Sequence, residues 1–405
     1  MADVEDLEVS TRSSVLDELV KRSLADIAEE VSRLRQNNAQ LEQHKQQLTI
    51  EKEHIEECLY ETKSEVALLR KERDALKRTS LYFMVKTELP HEILLAIFRA
   101  IRAPRYQLDP SVTACQGSNS AWLAELRVRK ALISVCKGWS GAARELFYED
   151  IVLRRMGQII ALADMLAANR SAQRNLAVLV KSIRLDTCIV LGPCADAARD
   201  ALSSILSLCV ALRTVEYHTA EGFPTAPALH PGDAARGFNP SWFVDDGLEA
   251  FQLAFRERVS MLTVLDLAMP LSHKQVAHLH GLLSTASCLE TLKLGPVQHV
   301  PGEGDHLDSL PALHLPKLEE LYIPITDDRF IAYVSTTWAM PGLRRLTTLG
   351  NKSSIPHALL AAHGTRLVYL NLYPKWPNSI HPDKKDVQRV LELCPVVEHL
   401  VLCIP

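Results

Sequence analysis

Three stretches, LTVLDLA (residues 262–268), LETLKLG (289–295) and LEELYIP (318–324), repeat one pattern: L-x-x-L-x-L or a close aliphatic variant. The pattern continues in LRRLTTL (343–349), LVYLNLY (367–373) and VEHLVLC (397–403). It reaches back to LRTVEYH (212–218) and, imperfectly, to VKSIRLD (180–186). From Leu262 onward successive starts are 27, 29, 25, 24 and 30 residues apart. Apolar residues at alternate positions predict strands with one buried face. Between the blocks lie stretches of helical character, such as SHKQVAHLHGLLSTA (272–286), DDRFIAYVSTTW (327–338), PHALLAAH (356–363) and KKDVQRVLELC (384–394).

A strand and a helix repeated at this interval predict an α/β leucine-rich-repeat solenoid over residues 154–405. Its leucines would line the core. The residues between them would face outward from a curved parallel sheet, which makes Glu216, His218, Asp266, Lys293, Tyr322, Tyr369, Asn371 and Tyr373 candidates for target binding on the concave face. One long insertion, TAEGFPTAPALHPGDAARGFNPSWFVDD (219–246), is rich in Pro, Gly and Ala and reads as a loop over part of that face. The last residues, VLCIP, fall inside or just after a strand, where a solenoid usually carries a polar cap. That ending suggests an incomplete chain or an edge covered by a partner.

The first quarter of the chain has a different period. No proline or glycine occurs before Pro90. With Val20 as heptad position d, the d row reads Val20, Ile27, Leu34, Leu41, Leu48, Ile55, Thr62, Leu69 and Leu76. The a row reads Leu24, Val31, Asn38, Lys45, Lys52, Leu59, Val66 and Arg73. This 3.5-residue period predicts a coiled-coil helix over residues 14–78, with Ile27, Leu34, Asn38, Leu41, Leu48 and Ile55 on its seam. A homodimer is the expected association, and Asn38 would fix its register. The polar a residues Asn38, Lys45 and Lys52 leave open a single solvated helix or one folded back on its own domain.

Next comes ELPHEILLAIFRAI (88–101). Pro90 suits the first helical position and Glu92 the first turn. On a helical wheel Pro90, Ile93, Leu94, Ile97, Phe98 and Ile101 share a broad face, while Leu95 points elsewhere. The helix is thus apolar on two sides, too much for a surface helix of a small domain, so it either lies deep in a core or has a partner. A polar excursion follows, and then LAELRVRKALISVCKGWSGAARELFYEDIVLRR (123–155).

LPHEILLAIF, ALISVCKGW and LFYEDIVLR, in that order, resemble the F-box, in particular the F-box-like family of basidiomycete fungi. The matching positions are Leu89, Pro90, Glu92, Ile93, Leu94, Ile97 and Phe98, then Leu132, Val135, Cys136, Trp139, Ala143 and Leu146. The gap between the two parts exceeds that of a compact F-box. The resemblance implies a helical module over residues 84–153 that docks on a Skp-family adaptor of a cullin-RING (SCF-type) ubiquitin ligase. Leu89, Pro90, Ile93, Leu94, Ile97, Phe98, Leu132, Val135, Cys136 and Trp139 would be the docking residues. It implies a substrate-recruiting subunit, not an enzyme. The alternatives are an interaction scaffold outside any ligase and, more distantly, a serine hydrolase. The last rests on Gly138-Trp139-Ser140-Gly141-Ala142, which approaches the G-x-S-x-G nucleophile elbow, with Ser140 as nucleophile.

The remaining features exclude more than they suggest. A net charge of −4 gives no broad electrostatic footprint for nucleic acid. No apolar run approaches membrane-spanning length, and the acidic start MADVEDLEVS is not a signal peptide. Nine scattered cysteines form no C-x-x-C pair, which predicts reduced thiols and a cytoplasmic or nuclear protein. The chain carries no phosphate-binding glycine loop and no H-E-x-x-H, so neither cofactor nor metal is expected.

Overall fold

The computed structural model describes residues 3–80, 89–103, 108, 120–170, 175–225, 236–300, 307–350, 355–374 and 384–402. The chain divides into two compact units, Met1–Glu88 and Leu89–Pro405. The first contains one unbroken helix, α1 (Asp3–Ser80), of 78 residues. At 1.5 Å per residue it is about 117 Å long. Nothing in its sequence interrupts it, and i,i+3 or i,i+4 pairs such as Glu30–Arg33 (2.8 Å) and Lys52–Glu56 (3.7 Å) decorate its surface. The helix overruns the expected 14–78 at both ends.

Among the described residues, the second unit begins with three helices, α2 (His91–Ala100), α3 (Ala121–Val135) and α4 (Lys137–Glu149). Ser120 caps α3 by accepting a hydrogen bond from the Leu123 N–H. The helices close around a small core of Leu94, Leu95, Phe98, Ala142, Ala143 and Leu146. The alanines let α4 approach α2 closely, and the Phe98 and Trp139 rings lie 5.1 Å apart at its edge.

A nine-stranded parallel sheet follows, its strands in the order of the chain. They are β1 (Asp150–Leu153), β2 (Ser182–Asp186), β3 (Thr214–His218), β4 (Val264–Ala268), β5 (Thr291–Leu294), β6 (Glu320–Ile325), β7 (Arg345–Gly350), β8 (Tyr369–Pro374) and β9 (His399–Leu402). Helices α5 (Met156–Ala168), α6 (Ala195–Leu208), α7 (Glu249–Val259), α8 (His273–Leu283), α9 (Asp328–Thr337), α10 (His357–His363) and α11 (Lys384–Leu393) connect most of them. Among the described residues, β5 and β6 are joined without a helix. There Val297–Gln298 pairs with Leu271–Ser272, and Leu313–His314 pairs with Trp338–Ala339.

The repeated leucines do what their spacing requires. Ile183, Leu185, Val215, Tyr217, Leu265, Leu267, Leu292, Leu294, Leu321, Ile323, Leu346 and Leu370 are buried in one core with the apolar faces of the helices. Burying each such side chain contributes about 1.5–3 kcal/mol, before the entropy of ordering the chain is subtracted. The fold is therefore mixed α and β, with a large parallel sheet and a long N-terminal helix.

Two expectations change. The sheet starts at Asp150, inside the segment assigned to the helical module, because Asp150–Leu153 pairs in register with Ser182–Leu185. The later part of the 219–246 insertion gives residues to the core and not to a cover for the open face. Phe238, Trp242, Phe243 and Val244 enter the core, where Phe243 meets Tyr217 at 5.6 Å and Phe255 at 5.0 Å. An aromatic cluster buries more apolar area than a polar loop gains from hydration. The tip of that insertion and the residues after Leu402 lie outside the described residues.

Candidate functional site

Two surfaces hold the candidate residues, and the first is on α2. Leu94 and Phe98 were expected to face a partner, but they are 4% and 1% exposed and belong to the module's own core. The outward side carries Leu89, Ile93, Ile97 and Ile101, which are 48%, 48%, 43% and 55% exposed. Their four-residue spacing makes one aliphatic stripe along the helix. Pro90 is exposed at its start. Of the second group, Val135 and Cys136 are exposed at the α3–α4 junction, while Leu132 and Trp139 are half-buried against the core. Ile101 completes the stripe and is the member that the motif does not include.

Charged residues hold this helix in place. His91 lies 3.0 Å from Glu145, and Arg99 donates to Glu149 at 2.9 Å. Lys181, just before β2, reaches the same Glu149 at 3.1 Å. Burial alone would raise the Glu149 pKa, but hydrogen bonds from Lys181 and Arg99 bring it below the usual carboxylate value. At the other end Arg102 bridges Glu125 (3.3 Å) and Asp150 (2.9 Å). Arg129 pairs with Glu125 and donates to the Asp150 carbonyl at 3.2 Å. These ions join α2 and α3 to the first strand. A cavity of about 430 Å³ lies beside them, walled by α3, α4, β1 and α5.

Ser140 sits in the first turns of α4, its N–H donating to the Cys136 carbonyl at 3.2 Å. Helix α3 precedes it. The strand-to-helix turn that exposes a nucleophile-elbow serine is not formed at this position.

The second surface is the open face of the sheet. Strand register aligns Arg184, Glu216, Asp266, Lys293, Tyr322, Thr347, Asn371 and Val401 in one row. Five of the expected face residues, Glu216, Asp266, Lys293, Tyr322 and Asn371, are in it. His218 is two residues further along β3, and Tyr369 two residues earlier on β8. Tyr373 is on β8, but its side chain lies outside the described residues.

The face has two characters. Toward its N-terminal end it is ionic and largely covered. Arg184 pairs with Glu216 at 3.1 Å and donates to the Leu108 carbonyl at 3.2 Å, so Leu108 reaches β2. Asp266 is buried and lies between His218 (3.5 Å) and Lys293 (3.6 Å). Toward the C-terminal end it is aromatic and more open. The Arg345 guanidinium lies 5.2 Å over the Tyr369 ring, and Tyr322 and Asn371 are half-buried. Burial and the charge of Asp266 raise the Tyr322 phenol pKa. A groove of about 700 Å³ runs beside Arg345, Tyr369, His399 and Val401. Applying the same alternation within VKSIRLD adds Arg184 to the outward row, and within LRRLTTL it adds Arg345.

The surroundings of His218 predict a pH dependence for this face. Burial, the largest influence, lowers its pKa. The hydrogen bond to Asp266 and the charges of Asp266 and Glu216 outweigh burial and the nearby Arg184, so the net shift is upward. A pKa raised in the folded state gives stability that is complete below the unfolded value of about 6.5 and fades as pH rises through the folded value. His218→Gln should therefore lower the melting temperature most in mildly acidic buffer and least above neutrality. Calorimetry across that range checks this, and a pH-independent difference would contradict it.

Among the described residues, no group of three or more His, Cys, Asp and Glu is placed to hold a metal ion, and no helix is long and apolar enough to cross a membrane. No known protein-family model matches the chain, and no curated protein does.

Proposed function

We propose that the chain is a substrate-recruiting F-box-type subunit of a cullin-RING (SCF-type) ubiquitin ligase. The α2 module would dock on a Skp-family adaptor, and the sheet would serve as the inner face of a leucine-rich-repeat solenoid that binds a target protein. The observation that carries this reading is the aliphatic stripe Leu89, Ile93, Ile97 and Ile101, exposed on a helix whose opposite side is locked into a core. The resemblance supplies the identity of the partner. Such a subunit makes and breaks no bonds. It raises the effective concentration of a target near a charged ubiquitin-conjugating enzyme. The compartment would be cytoplasmic or nuclear.

For the target, the C-terminal half of the open face is the better platform. Tyr322, Tyr369, Asn371 and Arg345 offer aromatic and guanidinium contacts, the residue types that dominate protein interfaces. Glu216, His218 and Asp266 act instead as an internal support.

The test is capture of a purified Skp-family adaptor by the full chain and by Ile93→Asp/Ile97→Asp. Burying two unpaired carboxylates in the contact should weaken binding about 100-fold or more. The same variant should melt within about 0.5 kcal/mol of the parent, since both positions face solvent. Equal capture of parent and variant would remove the ligase reading.

A further inference from the structure

We infer that α1 pairs with a second copy of the chain as a two-stranded, parallel, in-register coiled coil. Along the seam Leu24, Val31, Leu41, Leu48, Ile55, Leu59, Val66 and Leu69 are between 40% and 66% exposed, so these apolar residues are largely uncovered in a single copy. The helix runs without a break through all of them, and so the 3.5-residue period keeps one stripe from end to end.

The flanking residues choose the orientation. In the g row from Glu30 to Glu72 the residues are Glu30, Asn37, His44, Glu51, Cys58, Glu65 and Glu72. The carboxylates of this row, Glu30, Glu51, Glu65 and Glu72, have no Lys or Arg among them. The e row carries Arg35, Lys63 and Arg70, with Glu42 and Glu56 between them. In an antiparallel pair g faces g, which sets acid against acid and offers no attraction from a fixed cation. In a parallel pair g faces the following e of the other chain. Glu30 then meets Arg35 and Glu65 meets Arg70, and two-fold symmetry makes each pair twice.

The one like-charge meeting, Glu51 with Glu56, has Lys52 beside it, and Lys52 already holds Glu56 at 3.7 Å within its own helix. Lys45 is likewise 3.8 Å from Glu42. Both lysine stems can cover the apolar d layers while their ammonium groups reach outward. Asn38 at an a position favours two strands and a matched register, because only there does it meet another Asn38.

The experiment uses the full chain with Cys58→Ser as background and adds Asn38→Cys. Mild oxidation should give a disulfide-linked dimer that needs the new cysteine, and sedimentation should give a dimer before oxidation. In the same background Glu30→Lys/Glu65→Lys should raise the dimer dissociation constant roughly 30-fold. Adding Arg35→Glu/Arg70→Glu to that variant should restore it. A monomer by sedimentation overturns the proposal. So does a dimer that fails to cross-link through position 38 or whose affinity is indifferent to the charge reversal.

Discussion

Phe98→Ala should destabilise the helical module by about 3–5 kcal/mol, the usual cost of removing a large buried aromatic side chain. The ring is 1% exposed and touches Trp139 at a centroid distance of 5.1 Å. Among the described residues its core has six buried members, two of them alanines. A cluster so small has little capacity to close around a cavity, so the cost should fall at the upper end of that range. Amide hydrogen exchange is the suited measurement, because it reads local opening apart from global unfolding. Amides of α2 and α4 should lose protection, while those of β4 to β7 should keep theirs. Unchanged protection in α2 would show that Phe98 does not hold the helix. Capture of the proposed adaptor should fall as well, but for lack of a folded helix. For that reason Leu94 and Phe98 cannot report on docking, whereas Ile93 and Ile97 can.

The second large effect is expected at Gly295, immediately after β5. A methyl group there would lie 2.0 Å from the Met269 carbonyl oxygen and 2.7 Å from the Met269 nitrogen. Both are backbone atoms, so no side chain can swing aside. The Gly295 N–H also donates to the Leu267 carbonyl at 2.8 Å, and making room for the methyl would pull that bond apart. Gly295→Ala should cost about 3 kcal/mol or more, the upper range of overpacking, with the loss of a buried hydrogen bond added. Gly281→Ala is the matched control. It lies inside α8 with nothing beyond its chain neighbours and the local helix backbone within 4 Å of the added carbon, and Ala there should stabilise by up to about 1 kcal/mol. Chemical denaturation of the two variants should therefore move in opposite directions. If they moved together, the close approach at Gly295 would not be limiting.

These cases mark what was legible in the sequence. Strand register was, because side chains alternate with a period of two and each block carries its own leucines. Glu216, Asp266, Lys293, Tyr322 and Asn371 can be aligned by that alternation alone. Strand β1 was not. Asp150–Leu153 follows α4 with no turn residue between, and four residues give too few alternations to distinguish a strand from a helix end. The inward side of α2 was hidden for another reason. Its apolar residues cover most of the helix circumference, so periodicity does not say which of them face in. Ala142, Ala143 and Leu146, more than forty residues away, decide it. Trp242 and Phe243 were obscured by the Pro- and Gly-rich stretch around them, whose composition reads as loop although its aromatic pair is core. The partner of the α2 stripe is the part that only the resemblance supplies.

The sequential order of the sheet has a bearing on how this chain comes into being. Each strand rests on the one made just before it, so a nascent chain can extend its sheet one rung at a time without waiting for a distant segment. Injury to one rung should be felt mostly by its immediate neighbours. The last rung, β9, has a described neighbour on only one side and should be the first to fray. A protein assembled in this way tolerates insertions of very different lengths between its rungs, which is how one scaffold accommodates both the shorter β7–β8 connection, residues 351–368, and the long β3–β4 one, residues 219–263, that feeds its aromatic core.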